Sequence, residues 1–342
     1  MRRISNVLKI SMFALTAFAF QSCKKTNGID NNAVITKPYT LYVVDSLGTI
    51  YNTNDGNNYK QIIFPADGIP PRAFATYFNS ILMIKSSANA FLSSNEGAQF
   101  SSTFSKVSPM AFHQSLIIDV PSFNRVYIAS TDAKGIAYSQ DSTGEAWIAD
   151  NDNGLGSAAS ITSFAQLEDG TLVAFDDASR SIFTKPNVGA AWTKKASGGL
   201  PPAGNGQMFI TNYGNTIVAA DATGAEGVYY STNNGDSWLA YAGLPTGVPV
   251  RTAHSPFNKV LLIGLEGQGV YRLPLGSDTF VPANIGLDAN TAARSIVSKS
   301  DYFKNDRLKE YVYAACNTGL YRSEDNGSNW TKIKSGNFVL VY

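Results

Sequence analysis

The chain has 342 residues, with 27 lysine or arginine residues and 26 aspartate or glutamate residues. A hydrophobic content of 44% is enough for a folded core, and a charged content of only 15% excludes a highly charged, disordered chain. The near-neutral balance gives no indication of a nucleic-acid partner. Abundant glycine, tyrosine and phenylalanine favour strands and turns over helices.

A basic and then apolar segment opens the chain and predicts an export signal. Arg2, Arg3 and Lys9 precede the apolar stretch 10–20. This stretch is much shorter than the roughly 20 apolar residues that a permanent transmembrane helix needs. Residues 1–22 are therefore predicted to be a signal peptide.

Cys23 follows the apolar segment directly, with the small residue Ser22 before it. This order resembles the signal of bacterial lipoproteins, although Phe20 stands where that signal usually has leucine. The resemblance implies cleavage after Ser22 and lipidation of Cys23; the alternative is an ordinary secretory signal that contains a cysteine. Residues 23–37 are then a polar lipidated tether, and residues 38–342 form the folded domain.

The segment around the cysteine also bears on localisation. Together with the Asn- and Tyr-rich domain, Ser22–Lys25 resembles envelope lipoproteins of the Bacteroidota, which implies an outer-membrane anchor. Lys24 rather than aspartate after Cys23 agrees with that membrane. The sequence leaves open whether the domain faces the periplasm or the medium, and the absence of an acidic stretch after the cysteine favours the periplasm.

A polar turn with the pattern Ser-x-x-x-Gly-x-x-Trp occurs twice, in residues 231–238 (STNNGDSW) and 323–330 (SEDNGSNW). Weaker copies recur along the chain with a period of about 45 residues. Two further signals run in the same phase: a series of junction glycines and the similar stretches 120–130 and 254–264. The central glycines of the seven copies are Gly56, Gly97, Gly144, Gly189, Gly235, Gly276 and Gly327.

Within each unit, short apolar or alternating stretches are separated by Gly, Pro and Asn turns, which predicts about four short strands. Four-stranded units repeated radially are typical of a β-propeller. The sequence therefore predicts an all-β fold, a single seven-bladed β-propeller of four-stranded blades. The first unit supplies only three strands, so the C-terminal stretch 337–342 is expected to complete blade one and close the ring.

The repeated turn resembles the Asp-box, or bacterial neuraminidase repeat, of sialidases, xyloglucanases, sortilin-like receptors and a photosystem assembly factor. In that family the box lies between the third and fourth strands of a blade. We interpret it as structural, because Asn or Asp binds turn amides, glycine takes an unusual backbone angle and Trp covers the turn. The predicted structural residues are Ser231, Gly235, Trp238, Ser323, Asp325, Gly327 and Trp330.

Three arginines are candidate ligand-binding residues. Arg72, Arg251 and Arg294 each stand at the start of a predicted innermost strand, and the last two each follow a junction glycine by eight residues. If they converge at the channel mouth, their planar guanidinium groups suit a carboxylate or phosphate. This resembles the arginine triad of sialidases. The alternative is that the arginines pack between blades and bind loop carbonyls.

Acidic residues in the turns between second and third strands are weak catalytic candidates. Asp132, Asp176, Asp177 and Asp221 lie in such turns. Glycoside hydrolysis needs paired carboxylates, but aspartate is also ordinary in tight turns. The sialidase resemblance is incomplete, because the Arg-Ile-Pro signature is missing and sialidase propellers have six blades.

The predicted function is a lipid-anchored, non-catalytic binding or scaffold module for a protein or glycan partner on the channel face. An exo-acting glycoside hydrolase of sialidase type and an assembly factor for a membrane complex are the alternatives. No cofactor, metal site or nucleic-acid partner is predicted, because the domain has one cysteine, Cys316, and two unclustered histidines. The only predicted membrane contact is the N-terminal lipid.

Overall fold

The computed structural model describes residues 40–62, 71, 73–77, 80–84, 90–95, 97–102, 112–117, 127–131, 135–139, 147–149, 154–156, 161–187, 189–202, 207–303 and 307–342. Nearly all regular structure in these residues is β-strand, with one short 3-10 helix at Pro256–Asn258. Within the same residues, no helix has the length and apolar character needed to cross a bilayer.

Six blades each consist of four strands that are consecutive in the chain and paired in that order. Blade A contains β4 (Ala73–Tyr77), β5 (Ser80–Ile84), β6 (Ala90–Ser93) and β7 (Ser101–Ser102). Blade B contains β8 (Phe112–Ile117), β9 (Tyr127–Thr131), β10 (Gly135–Ser139) and β11 (Trp147–Ala149). Blade C contains β12 (Ile161–Gln166), β13 (Leu172–Asp176), β14 (Ser181–Lys185) and β15 (Thr193–Lys194).

The other three blades of this kind follow directly along the chain. Blade D contains β16 (Met208–Tyr213), β17 (Thr216–Asp221), β18 (Val228–Ser231) and β19 (Leu239–Ala240). Blade E contains β20 (Val250–His254), β21 (Leu261–Leu265), β22 (Gly269–Leu273) and β23 (Val281–Pro282). Blade F contains β24 (Ala293–Phe303), β25 (Arg307–Cys316), β26 (Gly319–Ser323) and β27 (Thr331–Lys334).

One further four-stranded sheet is a composite of both parts of the chain. It contains β1 (Leu41–Asp45), β2 (Ile50–Thr53), β3 (Lys60–Ile62) and β28 (Phe338–Val341), in the order β28-β1-β2-β3. β28 runs antiparallel to β1, with Val341 opposite Val43. β28 therefore takes the place of the first strand of a blade.

The prediction of seven blades is corrected accordingly. Six, not seven, blades are complete four-stranded units of consecutive strands, and the remaining sheet draws its first strand from the far end of the sequence. The reason is physical: the first unit of the chain has only three strands, and its unpaired edge is covered by a strand from elsewhere.

The core consists of apolar layers between neighbouring sheets. The second strands β13 and β21 are buried at every residue, whereas the outermost strands β15, β19 and β23 are exposed. The composite sheet packs on both of its neighbours. One layer joins Leu41 and Val43 to Tyr313 of blade F, and another joins Tyr42 and Val44 to Met83 of blade A.

A long hairpin replaces an expected loop. The charged residues 298–311 are typical of a solvated loop or a short helix, but most of them lie in strands instead. β24 continues to Phe303 and β25 begins at Arg307, and the two strands are neighbours in the sheet of blade F.

The repeated turns lie between the third and fourth strands, and in the composite sheet and blades A, D and F they are held by the same pair of bonds. In blade D, the Ser231 hydroxyl accepts a hydrogen bond from the Gly235 amide at 2.9 Å and donates one to Asn233 Oδ1 at 2.9 Å. In blade F, Ser323 makes the same two bonds with Gly327 and Asp325. The turns are thus fixed by atoms within eight residues of chain.

The turns of blades D and F are also pressed against the neighbouring sheet. Gly327 has a φ of +81°, and a methyl group added to it would lie 2.7 Å from Leu262 of blade E. Gly235 stands in the same relation to Ile182 of blade C, at 2.7 Å. The Trp330 indole donates to the Ala283 carbonyl at 2.9 Å, across the boundary between blades E and F. The turns therefore connect one blade to the next.

Candidate functional site

The first strands of several sheets surround a central cavity. This cavity has a volume of about 460 Å³ and contains residues of β12, β16, β20, β24 and β28. Its wall combines apolar side chains with hydroxyl groups and two arginines: Pro71, Phe164, Phe209, Ile210, Thr211, Arg251, Thr252, Ala253, Arg294, Ser295, Val339 and Leu340. A cavity of this size and mixed character suits part of a peptide or a small ligand.

Two of the three predicted arginines line this cavity together. Arg251 is the second residue of β20, and Arg294 is the second residue of β24. Arg72 lies outside the described residues, although Pro71 before it lines the same cavity. The structure thus brings together the arginines of blades E and F.

A local irregularity of β20 sets the position of Arg251. Val250 pairs with Leu265 and Thr252 pairs with Gly264, so Arg251 has no residue opposite it in β21. Such a bulge turns a side chain away from its regular direction, and bulges are common beside binding sites. The bulge depends on strand pairing, and no feature of the sequence around Arg251 predicts it.

The two arginines have different partners. Arg251 Nε donates to Glu266 Oε2 at 2.8 Å, and both side chains are 41% exposed. Arg294 donates from NH1 to the neutral Asn337 Oδ1 at 2.7 Å. The positive charge of Arg251 is therefore balanced within the protein, whereas Asn337, which accepts the hydrogen bond from Arg294, carries no charge.

The described acidic candidates are engaged in their own turns. Asp176 Oδ1 accepts the amides of Ala178 and Ser179, and its Oδ2 accepts the Ser179 hydroxyl at 2.9 Å. Asp221 accepts the amides of Thr223 and Glu226 at 2.8 and 2.7 Å. These bonds use the carboxylate oxygens to close the turns after β13 and β17.

Asp177 connects two blades rather than closing a turn. Its Oδ1 accepts a bond from Arg180 at 2.5 Å and from the Met208 amide of β16 at 2.9 Å. Asp132 and Cys23, the remaining candidates for catalysis and lipidation, lie outside the described residues. Groups of three or more His, Cys, Asp or Glu side chains suited to a metal are absent from the described part of the chain.

The opposite ends of the same first strands carry basic groups. His254, at the end of β20, lies 2.9 Å from the Ser298 hydroxyl of β24. Burial, together with nearby Lys299, lowers the pKa of His254 to about 4. Burial lowers the pKa of Lys299 to about 8, and its ammonium group lies 5.3 Å from the centre of the Tyr342 ring. At neutral pH, His254 is therefore uncharged.

A second, smaller cleft lies between blades D and E. Its volume is about 180 Å³, and it is enclosed by the turn that follows β17, residues 222–227, and by the connection 241–249 to blade E. Val228, Val250 and Leu265 form a buried apolar floor. The sequence alone does not predict this cleft, because its two walls come from separate loops.

Known families and curated proteins do not identify the chain. No protein-family profile matches the sequence, and no curated protein matches it. Solved structures do resemble it in fold. A structure described as YCF48 bound to D1 peptide has 11% sequence identity and a TM-score of 0.52, over 82% of this chain and 95% of that chain.

Two other solved structures also resemble the chain in fold. YCF48 from Cyanidioschyzon merolae has 15% identity and a TM-score of 0.56, over 81% of this chain and 89% of that one. The extracellular domain of the hybrid two component system BT4673 from B. thetaiotaomicron has 15% identity and a TM-score of 0.53, over 82% of this chain but only 36% of that one. At these identities the likeness concerns the fold alone, and the chain is a β-propeller.

Proposed function

We propose that this chain is a non-catalytic binding module and that its central cavity holds a carboxylate-bearing segment of a protein partner. The observation that carries the proposal is the presence of Arg251 and Arg294 in one cavity. A guanidinium group can bind a carboxylate through two parallel hydrogen bonds, which gives both strength and orientation.

A protein segment suits the cavity better than a bare anion. Phe164, Phe209 and Val339 line the cavity together with the arginines, so a ligand that carries apolar atoms as well as a negative charge would contact both kinds of side chain. A protein of similar fold has been solved with a bound peptide, and this supports a peptide as the class of ligand. We further propose that lipid on Cys23 holds the domain at an envelope membrane.

Crosslinking in native membranes, followed by affinity purification and mass spectrometry, tests the binding role. The wild type is compared with the double variant Arg251→Gln/Arg294→Gln and with Lys194→Gln. Lys194 is an exposed cation on the outermost strand β15 and serves as the matched control. The proposal expects a protein partner that is recovered with the wild type and the control and reduced at least tenfold with the double variant. Equal recovery with all three would contradict it.

The anchor and the absence of catalysis need separate tests. Cys23→Ser should move the protein from the membrane fraction to the soluble fraction, and continued membrane association would contradict lipidation at this residue. Enzymatic turnover on any member of a broad panel of fluorogenic glycosides would contradict the non-catalytic role. The carboxylates of Asp176 and Asp221 already accept turn hydrogen bonds, so we expect no turnover.

A further inference from the structure

The cleft between blades D and E and the central cavity are next to each other, because consecutive residues of β20 and β21 border the two. Val250 and Leu265 face each other across β20 and β21 and belong to the floor of the cleft. The next residues along these strands, Arg251 and Glu266, form the ion pair beside the cavity. Neighbouring residues of a strand are about 3.3 Å apart, so a ligand segment of a few residues is long enough to reach both.

The cleft has the size and lining for one apolar side chain. Its volume of about 180 Å³ is similar to that of a protein cavity that admits a benzene molecule, roughly 150 Å³. Val228, Val250 and Leu265 are almost completely buried at its floor, and Tyr241 and Leu244 contribute to the wall.

Charge distinguishes the cleft from the cavity. Glu226 lies on the lining of the cleft. Its charge would repel a carboxylate that entered the cleft, whereas Arg251 and Arg294 would attract the carboxylate to the cavity. The arrangement therefore gives a bound segment one orientation.

We propose that the cleft between blades D and E is a side-chain pocket that selects a peptide in which an aliphatic or aromatic residue lies one to three residues from a carboxylate. This inference rests on the proposed function and adds a specificity pocket to it. Glu266 already binds Arg251, so a ligand carboxylate either shares Arg251 with it or uses Arg294. Glu266 thus acts as an internal competitor that restricts binding to ligands that also fill the cleft.

Fluorescence anisotropy with defined peptides tests the pocket. The probes are capped seven-residue peptides of Gly and Ser that contain one Asp and, one to three residues away, a Leu, Phe or Ser. The full chain is used in detergent. The expected result is that the best Leu or Phe peptide binds at least tenfold more tightly than its Ser counterpart, because its side chain is removed from water.

A matched pair of variants separates the pocket from the rest of the surface. Ala225→Trp places a large ring in the cleft from an exposed position of the turn after β17. Ala178→Trp makes the same change at an exposed position of the corresponding turn of blade C, which lies outside the cleft. The first variant should abolish the preference for Leu or Phe, and the second should keep it. Equal melting temperatures of the two variants would exclude misfolding as the cause.

The outcomes distinguish the two proposals. If Arg251→Gln/Arg294→Gln weakens peptide binding but no peptide prefers Leu or Phe over Ser, the pocket is overturned and the proposed function stands. The pocket is also overturned if the preference persists in Ala225→Trp. If no probe binds in a way that depends on the two arginines, both proposals fail for this class of ligand.

Discussion

The peripheral turns and the central cavity differ in how their polar groups are satisfied. In the turns of blades D and F, serine, Asn or Asp and glycine bind one another within a few residues. In the cavity, Arg251 and Arg294 find partners on other strands or loops, Glu266 and Asn337. The turn bonds recur in the composite sheet and in blades A, D and F, whereas among the described residues the arginines that line the cavity belong to blades E and F.

This difference indicates how residues that stabilise a repeat protein can be distinguished from residues that bind a ligand. A feature that recurs with the period of the fold meets a need that every blade has, such as attachment to its neighbour. A feature that breaks the repeat has no such explanation and is the better candidate for a binding site. Accordingly, mutations in the turns should lower stability, and mutations in the cavity should lower binding with little effect on stability.

The largest expected effect is loss of a peripheral aromatic ring. Trp330→Ala removes a buried indole and its hydrogen bond to Ala283, and should lower the free energy of unfolding by about 3–5 kcal/mol. Urea denaturation measures the loss. Trp330→Phe keeps a ring but leaves the Ala283 carbonyl without this donor, so its cost should be smaller, about 1–3 kcal/mol. A loss below 1 kcal/mol for Trp330→Ala would contradict a stabilising role of the turn.

The second largest expected loss of stability distinguishes crowding between blades from backbone strain. Gly327 and Gly276 occupy corresponding turn positions and have φ values of +81° and +75°. An added methyl group meets Leu262 at Gly327 but meets nothing within 4 Å at Gly276. Gly327→Ala should therefore cost about 1–3 kcal/mol more than Gly276→Ala in the same denaturation assay. Equal costs would show that the turn does not press on the next blade.

Protonation of His254 should lower the stability of the folded chain. Burial lowers its pKa to about 4 in the folded state, against an ordinary value of 6.5. Between these two values the unfolded chain binds more protons than the folded one, so stability should fall as the pH falls from 6.5 to 4 and should not depend on this group above 6.5. Thermal melts of wild type and His254→Gln across pH 4–8 should diverge only in that window. Parallel curves would contradict the burial of an uncharged His254.

The smallest expected effect on stability belongs to the cavity. Arg251→Gln/Arg294→Gln breaks an ion pair whose members are both 41% exposed, and such pairs contribute no more than about 1 kcal/mol. Urea denaturation should therefore place the double variant close to the wild type, whereas recovery of a partner should fall. A large loss of stability would mean that the arginines hold the blades together and would remove the contrast with the turns.

Local features were predictable from the sequence, and features that depend on strand register were not. The turn of residues 323–330 is fixed by contacts within eight residues, so its pattern alone predicts the roles of Ser323 and Asp325. The bulge at Arg251 and its pairing with Glu266 depend on how β20 aligns with β21, which a single strand does not encode. The cleft depends on two loops that are close only after folding.

The acidic residues illustrate the same limit. Their position in turns between second and third strands is visible in the sequence, but the sequence does not say whether their oxygens are free. Asp176 and Asp221 bind the amides of their own turns, and Asp177 reaches Met208 of the next blade. The composite sheet was accessible from the sequence, because a count of the strands leaves three at one end and one at the other.

Site-specific photo-crosslinking in the native envelope tests most directly whether a partner binds at the central cavity or at the peripheral turns. One photoreactive residue replaces Thr211 in the cavity, and another replaces the exposed Asn57 of a peripheral turn. We expect the Thr211 position to crosslink to a defined protein partner, with loss of that product in the Arg251→Gln/Arg294→Gln background, and no such product from Asn57. A partner captured from Asn57 and not from Thr211 would contradict binding at the cavity and place it on the periphery.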